Sequence, residues 1–296
     1  MPTGIILLDK PKGLSSNGAL QRVRKAFGAR SAGHVGTLDP MATGMLPLCL
    51  DEATKIIAEI ESGAKCYEFT LALGRRTTTG DADGEVVEEQ PVPALTPSAV
   101  EAVLMRFRGT QSQVPPMYSA LKRDGRPLYE LARQGIEVER AARRVEIRRL
   151  ELAQQLPDAL DLVCESSKGT YVRVLGEDIA RALGTCGHLT RLRRAWVEPF
   201  RGMPMYSLEA ALQSAESRQD LLPPDAALQA LPKATLTADD VVQLRHGQAV
   251  RSGAGIPTET GQRVRVYGPE GVFLGLAEAK ADGWLQPRRL ILADAR

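Results

Sequence analysis

The sequence predicts an α+β fold that ends in a small all-β module. Strand-like and helix-like segments mix without strict alternation, which favours α+β over a doubly wound parallel sheet. Near the C-terminus, turns rich in glycine separate three short strand patterns at residues 263–267, 272–277 and 289–292. A chain of 296 residues with 43% hydrophobic and 25% charged residues fits one large domain followed by a small one.

The first predicted elements are a buried strand and an amphipathic helix. Residues 5–8 form an apolar run typical of a buried strand. The helix is expected to run from one of the capping residues at 15–17 to Phe27, because its apolar residues share one stripe and Gly28 can end it. Residues 29–45 then break the pattern with glycine and proline in quick succession, so we expect a long loop there, and such loops are often functional.

The middle of the chain predicts a strand, a helix and a long irregular segment. Residues 65–73 alternate as in a half-buried strand, and a polar turn follows at 79–84. Residues 97–107 carry an apolar stripe at helical spacing. Residues 109–144 are rich in Gly, Pro and Arg, and we expect them to form a long mobile segment around a short helix near 128–133.

The last part of the large domain predicts two more strands and a helix. The strand patterns cover residues 145–152 and 160–164. The helix has apolar residues at four-residue spacing and is expected to end at Gly184. Residues 213–234 shift towards Ala, Gln, Asp and Pro, which indicates a connector to the C-terminal module.

Several functional classes lack their sequence signatures. The chain has no phosphate-loop, dinucleotide-binding or esterase motif. Its four cysteines show no zinc-ligand spacing and its three histidines are scattered; Cys186 and His188 are too few to hold a metal, so we expect none. The longest apolar run near the start has four residues, too few for a signal peptide or a membrane span, so we expect a cytoplasmic protein.

The positive charge is concentrated in arginine clusters. The net charge is only +2, but 29 of the 38 basic residues are arginine. Such clusters can track phosphates, or they can be solvated faces, since glutamates interleave the first cluster, and charge alone leaves both readings open. The clusters comprise Arg140, Arg143, Arg144, Arg148 and Arg149, then Arg191, Arg193, Arg194 and Arg201.

The loop at 33–44 carries the most informative polar residue. Its glycines permit positive φ and close approach of another molecule to the backbone. Asp39 precedes Pro40, which favours an extended conformation for the aspartate. From these residues alone, the Asp39 carboxylate could be a nucleophile, a general base, a metal ligand or a turn former.

Seven segments of the chain carry a family resemblance: residues 8–16, 33–55, 65–67, 77–84, 114–122, 169–173 and 192–194. They closely resemble the motifs of the bacterial tRNA pseudouridine synthase B (TruB) family. The matches fall in the family's order from residue 4 to about residue 200, which makes the resemblance highly specific. The resemblance implies a pseudouridine-synthase-type mixed, mainly antiparallel sheet flanked by helices, with a C-terminal β-barrel resembling PUA domains.

The resemblance also implies an activity. Members of the family isomerise the T-loop uridine at position 55 of tRNA to pseudouridine without a cofactor. It implies that Asp39 is the nucleophile and that Arg173 pairs with it. Tyr67 matches the tyrosine that stacks on the target base and is a candidate proton acceptor, but a phenol with a pKa near 10 is a poor base.

Three further positions match residues that bind the substrate in the family. Tyr171 and Leu192 match residues that line the pocket around the base. His34 matches the residue that enters the T loop and fills the space of the flipped nucleotide, which lowers the cost of unstacking.

The resemblance also divides the chain. It implies a catalytic domain at 1–230, in which residues 115–143 form a mobile segment that closes on the T-stem loop of tRNA. It implies a PUA-like module at 231–296, where Arg263, Arg265 and Trp284 would extend the tRNA contact. No metal or membrane partner is expected. Composition and charge do not predict an oligomer, so we expect a monomer. The alternatives are a guide-RNA-dependent synthase acting on ribosomal RNA, and a tRNA-folding or RNA-binding protein that does not require catalysis.

Overall fold

The computed structural model describes residues 2–251 and 259–291, which form 7 α-helices and 18 strands. The helices are α1 (Ser16–Phe27), α2 (Ile57–Glu61), α3 (Pro97–Arg106), α4 (Leu128–Arg133), α5 (Val172–Ala182), α6 (Leu208–Gln213) and α7 (Ala238–Arg245). The strands are β1 (Gly4–Lys10), β2 (Ala32–His34), β3 (Thr43–Leu50), β4 (Lys65–Leu73), β5 (Arg75–Thr77), β6 (Val86–Glu89), β7 (Gly109–Gln113), β8 (Lys122–Arg123), β9 (Arg126–Pro127), β10 (Arg143–Gln155), β11 (Ala159–Ser166), β12 (Gly187–Val197), β13 (Tyr206–Ser207), β14 (Lys233–Thr235), β15 (Val250–Arg251), β16 (Arg263–Tyr267), β17 (Phe273–Ala279) and β18 (Trp284–Leu290). Short 3-10 turns cover Asp51–Ile56, Pro224–Leu228 and Ala281–Gly283.

A nine-stranded mixed sheet forms the centre of the molecule. Eight strands run in the order β13-β1-β3-β12-β4-β11-β10-β7, and β2 adds to β3. The pairs β1–β13 and β3–β12 are parallel, and the other pairs are antiparallel. The predicted α+β class with a mainly antiparallel sheet is therefore confirmed.

Both faces of the sheet near β1 are buried. Ile6 and Leu8 pack into a core with the apolar stripes of α1, α3, α5 and α6. Ile5 and Leu7 point to the other face, into a second core that includes Ile60 of α2. A strand that is buried on both faces needs a continuous apolar run, which is why residues 4–8 show no polar alternation.

Helix α1 begins and ends as its sequence predicts. The Ser15 hydroxyl accepts a hydrogen bond from the amide of Gly18, which satisfies a free donor at the first turn. Gly28 has φ 63°, a left-handed conformation that ends the helix at little steric cost.

The C-terminal module is a five-stranded half-barrel sheet in the order β14-β16-β17-β18-β15, with its own apolar core. It is attached to the large sheet's second core through Leu276 and Ile291. The Lys55 ammonium also donates to the carbonyl of Leu290 at 2.7 Å. Arg265 is buried and donates to the Leu231 carbonyl at 3.0 Å. It therefore holds the connector instead of facing RNA.

Three segments differ from the predicted elements. The expected loop at 29–45 is shorter, because β2 pairs with the end of β3 and leaves residues 35–42 as the loop. The expected irregular segment at 109–144 contains the edge strand β7 and the hairpin of β8 and β9. The last strand lies at Trp284–Leu290 instead of 289–292, and residue 292 lies outside the described residues. Within the described residues, no helix is both long and apolar enough to cross a membrane.

Candidate active site

The loop between β2 and β3 borders a cleft of about 540 Å³. The start of α5, the sheet strands β4 and β12 and the segment after β7 form the other walls. Five of the six predicted site residues line this cleft: Asp39, Tyr67, Tyr171, Arg173 and Leu192. They come from four separate parts of the chain, so the fold brings them together.

Asp39 and Arg173 form the central ion pair of the cleft. Arg173 Nε donates to Asp39 Oδ2 at 2.9 Å, and Nη2 donates to Oδ1 at 3.2 Å. The Arg173 side chain is 5% exposed, whereas that of Asp39 is 32% exposed. A buried guanidinium thus fixes a carboxylate that a molecule in the cleft can still reach.

Backbone carbonyls hold the rest of the Arg173 guanidinium. Its Nη1 donates to the Thr79 carbonyl at 2.6 Å, and its Nη2 donates to the Tyr118 carbonyl at 2.6 Å. Arg173 is the second residue of α5 and lies near the positive end of the helix dipole. This unfavourable placement is offset by the two carbonyls and the carboxylate around it.

Asp81 is a second acidic neighbour that the sequence analysis did not single out. Its Oδ2 lies 3.6 Å from Arg173 Nε, and its side chain is 6% exposed. The Asp83 amide donates to Asp81 Oδ1 at 3.1 Å, which fixes the carboxylate within its turn. In the sequence, Asp81 is visible only as an aspartate in the polar turn at 79–84. Aspartate is common in turns for structural reasons, so its position alone did not indicate a role in the site.

Tyr67 lies in the floor of the cleft on β4. Its position follows from the alternation of that strand, which points Tyr67 and Phe69 into the same core. Burial raises the pKa of the Tyr67 hydroxyl, and Arg194 opposes this rise through its charge and a hydrogen bond. Arg194 is directly across from Tyr67 in the pairing of β4 with β12.

Tyr171 and Leu192 complete the cleft wall around Tyr67. The Tyr171 amide donates to the Gln113 side-chain oxygen at 2.7 Å, and the Gln113 amide group donates back to the Tyr171 carbonyl at 3.1 Å. Burial raises the pKa of the Tyr171 hydroxyl. Leu192 is buried opposite Phe69 and presents an apolar surface to the cleft.

His34 lies beside the cleft but does not line it. It occupies the end of β2, two residues before the cleft residue Gly36, and pairs in register with Leu48. Its side chain is half-buried, and its Nδ1 has no hydrogen-bond partner among the described residues. Burial, and then the nearby charge of Arg194, lower its pKa.

Two buried lysines near the cleft were not predicted from the sequence as site residues. Lys10 donates to the carbonyls of Leu14 at 2.6 Å and Pro40 at 3.3 Å, so it holds the loop next to Asp39. Lys65 donates to the carbonyls of Glu61 and Gly63. Burial lowers the pKa of each lysine to about 8.

The structure separates the arginine clusters into paired and unpaired members. Arg193 pairs with Asp9 through two hydrogen bonds of 2.8 and 2.9 Å. Other cluster members that pair with carboxylates are Arg140, Arg148, Arg149, Arg191 and Arg201. Arg143, Arg144 and Lys168 line the cleft, and no described carboxylate lies within ion-pair distance of them. These three exposed cations are placed to meet phosphates entering the cleft.

The potential metal ligands do not converge. All four cysteines are buried free thiols. In residues 2–251 and 259–291, no group of three His, Cys, Asp or Glu side chains is placed to hold a metal ion.

Two models of one protein family match most of the chain between them. The family model described as TruB family pseudouridylate synthase (N terminal domain) matches residues 24–172. The model described as Pseudouridine synthase II TruB, C-terminal, matches residues 232–291.

Curated relatives named tRNA pseudouridine synthase B align with almost the full length of the chain. The relative from Chromohalobacter salexigens is 47% identical over 291 residues, covering 97% of this chain and 94% of the relative. The one from Aromatoleum aromaticum is 49% identical over 292 residues, covering 97% and 92%. The one from Burkholderia mallei is 48% identical over 299 residues, covering 99% and 98%.

Among solved structures, the chain is similar to one described as a Cbf5-Nop10-Gar1 complex. The TM-score is 0.76 at 22% identity, and the match covers 98% of this chain and 85% of that one. A match at this identity shows a shared fold alone.

Proposed function

The chain belongs to the TruB family of pseudouridylate synthases, and we propose that its cleft isomerises the T-loop uridine at position 55 of tRNA to pseudouridine, with Asp39 as the nucleophile. The observation that carries this proposal is the Asp39 carboxylate, held by two hydrogen bonds from a buried arginine yet reachable from the cleft. A nucleophile must keep its orientation while the substrate enters, and the two hydrogen bonds from Arg173 provide it.

The reaction needs no other reactant. The bond between N1 of uracil and C1′ of ribose breaks, the base turns within the cleft, and a bond forms between C5 and C1′. The proton on C5 leaves and N1 gains a proton, so the product is an isomer of the substrate. Asp39 forms a covalent bond with the nucleotide and releases it, which divides one difficult step into two easier ones.

The cleft residues divide the remaining work between stacking and enclosure. The Tyr67 ring stacks on the flipped base, and Leu192 packs beneath it. Tyr67 is also a candidate acceptor for the C5 proton. Tyr171 closes the wall beside α5, so the detached uracil is kept from water while it turns.

His34 contributes to RNA binding and base flipping, and takes no part in the chemical steps. Its position beside the cleft, between Gly33 and the loop, allows the imidazole to enter the T loop where the target base has left its stack. An inserted ring lowers the cost of flipping, so loss of His34 weakens RNA binding more than catalysis.

Residues 115–143 act as a mobile clamp on the T-stem loop. The Arg140 side chain in this segment has two buried nitrogens, Nε and Nη1, with no acceptor among the described residues. Leaving charged donors unpaired is unfavourable, and a phosphate of bound RNA would satisfy them. This supports a rearrangement of the segment when tRNA binds.

The domain organisation follows from this assignment. Residues 1–230 hold the complete cleft, and 231–296 form a PUA-like module that extends the tRNA contact. The enzyme acts as a monomer, and its tRNA substrate is consistent with a cytoplasmic protein. The guide-RNA-dependent reading is disfavoured, because the 46–49% identical relatives are named tRNA pseudouridine synthase B.

The test is to map pseudouridine in unmodified tRNA after incubation with wild-type protein and with Asp39→Asn. Carbodiimide labelling and primer extension should give one T-loop stop with wild type, and Asp39→Asn should lower the rate by more than roughly 10³-fold while still binding tRNA. Asp178→Asn is the matched control, since this aspartate pairs with Arg181 on the surface of α5. A wild-type protein that binds tRNA without producing a stop would favour the tRNA-folding alternative. A stop outside the T loop would contradict the substrate assignment.

A further inference from the structure

Arg194 is a buried arginine in the lining of the cleft, with no part in the proposed reaction. It lies on β12 and is 1% exposed. Within the described part of the chain, no carboxylate lies within ion-pair distance of its guanidinium. Burying an unpaired charge costs several kcal/mol unless hydrogen bonds replace its hydration, so its contacts must be good ones.

The guanidinium bonds to both ends of the loop that carries Asp39. Nη2 donates to the carbonyls of Val35 at 3.1 Å and Gly36 at 3.0 Å, where the loop begins. Nε donates to the Met45 carbonyl at 2.7 Å, just after the loop ends. One side chain therefore joins the two ends of the loop.

Two glycines lie against Arg194. Gly36 is in the loop with φ 67°, and a Cβ there would lie 3.0 Å from Arg194 Nη1, so a side chain would press on the guanidinium. Gly44 is the second residue of β3 with φ 101°, and a Cβ there would lie 2.2 Å from the backbone carbonyl oxygen of Arg194, where β3 pairs with β12. Both positions therefore favour glycine.

Arg194 is also the cross-strand neighbour of Tyr67. The two residues are directly opposite in the pairing of β4 with β12, and both line the cleft. Asp39 and Tyr67 come from different elements, and Arg194 is bonded to the loop of the first and lies across from the second.

We propose that Arg194 is a positioning residue for the isomerisation, whose guanidinium fixes the loop bearing Asp39 relative to Tyr67 on the neighbouring strand. This inference rests on the proposed function of the cleft. An error of about 1 Å between two groups that act on one substrate can cost roughly 10²-fold in rate. Arginine suits the task because its planar fork presents five donors in fixed directions, whereas lysine presents three donors from one point.

A purely structural role for Arg194 predicts different kinetics. If the guanidinium only joined β3 to β12, its loss would lower stability, and the protein that remained folded would react at the normal rate. If it positions Asp39 and Tyr67, folded protein should bind tRNA normally and react slowly. The rate of a single turnover and the affinity for tRNA, measured separately, distinguish the two roles.

The test uses Arg194→Lys and Tyr67→Phe in the full-length chain. Arg194→Lys keeps the charge but cannot reach all three carbonyls, and Tyr67→Phe keeps the ring for stacking but removes the hydroxyl across from Arg194. We expect both variants to remain folded at 25 °C, to bind unmodified tRNA within about threefold of wild type, and to lose roughly 10²-fold in single-turnover rate. Arg191→Lys is the matched control, because this arginine lies on the same strand, faces outward and contacts Asp161.

A wild-type rate in folded Arg194→Lys, or in Tyr67→Phe, would overturn the inference and leave the proposed function intact. A loss of tRNA affinity that accounts for the slower reaction would also overturn it. Wild-type protein that forms no pseudouridine in the same assay would overturn the proposed function, and the inference with it.

Discussion

Arg173 holds Asp39 across 134 residues of sequence, with Nε and Nη2 each donating to a different carboxylate oxygen. The same Nη2 also donates to the carbonyl of Tyr118, which lies in the proposed clamp segment. One side chain therefore connects the nucleophile to the segment that would close over the substrate. Closure of the clamp and orientation of Asp39 can be coupled through this contact.

We predict that Arg173→Lys lowers the single-turnover rate by roughly 10²-fold, because a lysine cannot form the paired hydrogen bonds to Asp39 and loses the carbonyls of Thr79 and Tyr118. Quench experiments on unmodified tRNA measure the rate, and filter binding measures the affinity. Arg181→Lys is the control, since this arginine lies on the exposed side of α5. A rate within a few-fold of wild type would show that the two-point contact is dispensable.

We predict that Lys65 makes the stability of the protein rise with pH above 8. Burial lowers the pKa of folded Lys65 to about 8 from the ordinary 10.5, so between these values the unfolded chain binds a proton that the folded chain does not. Raising the pH through this window therefore favours the folded state, by up to about 3 kcal/mol. Below pH 8 both states carry the proton, and this dependence disappears.

Urea unfolding from pH 7 to 10 measures this effect as the difference between wild type and Lys65→Met, which cancels the groups common to both. Lys25→Met is the control, because Lys25 is exposed on α1. The difference in unfolding free energy should widen in favour of wild type as pH rises for Lys65→Met, and stay flat for Lys25→Met. A flat difference for both would mean that the Lys65 ammonium is as well solvated in the folded protein as in water.

Helices and strands could be predicted where apolar residues recur at a single regular spacing along the sequence. Strand β4 was predicted with its observed bounds because its side chains alternate, and the caps of α1 gave its start and end. Strand β12 was missed, since register shifts after Leu189 and Arg194 break the alternation of its apolar residues. The edge strand β7 has mostly polar residues, a composition typical of a loop, so it was not predicted as a strand.

The cleft itself could be predicted only in part. The family resemblance supplied Asp39, Tyr67, Tyr171, Arg173 and Leu192, and the structure brings all five to one cleft. Arg194 was grouped in an arginine cluster with two open readings, a phosphate contact or a solvated face. Neither its burial nor its contacts with a loop 149 to 159 residues away can be predicted from neighbouring residues. Long-range packing decides which charges become buried, and a single sequence does not encode that packing in a local pattern.

We predict that Arg143, Arg144 and Lys168 bind tRNA phosphates. Each alanine substitution should weaken binding about three- to tenfold and make the slope of log affinity against log salt less negative by about 1, because one fewer counterion is released. Titrations of tRNA at several salt concentrations measure both quantities. The rate of bound tRNA should change little, since these cations lie at the wall of the cleft and not at the ion pair of Asp39.

Arg148→Ala is the matched control for this salt experiment. Arg148 lies on the same strand as Arg143 and Arg144, but its Nε is 3.3 Å from a Glu146 oxygen. A carboxylate already neutralises it, so its loss should leave the slope unchanged. Equal slopes for all four variants would contradict a phosphate contact at the cleft.

We predict that Trp284 contacts tRNA beyond the T arm. Its side chain is 44% exposed at the start of β18, opposite Arg251 on β15, and an exposed aromatic beside a cation is a typical stacking platform for an unpaired base. Trp284→Ala should therefore weaken binding of full-length tRNA about tenfold and leave binding of an isolated T-arm hairpin unchanged, because only the longer RNA reaches the module. Val272→Ala serves as the control, since Val272 is also exposed and apolar but carries no ring to stack. If wild type and Trp284→Ala bind full-length tRNA equally well, Trp284 does not contact the RNA. The module would then have a structural role only, through Leu276 and Ile291 in the second core.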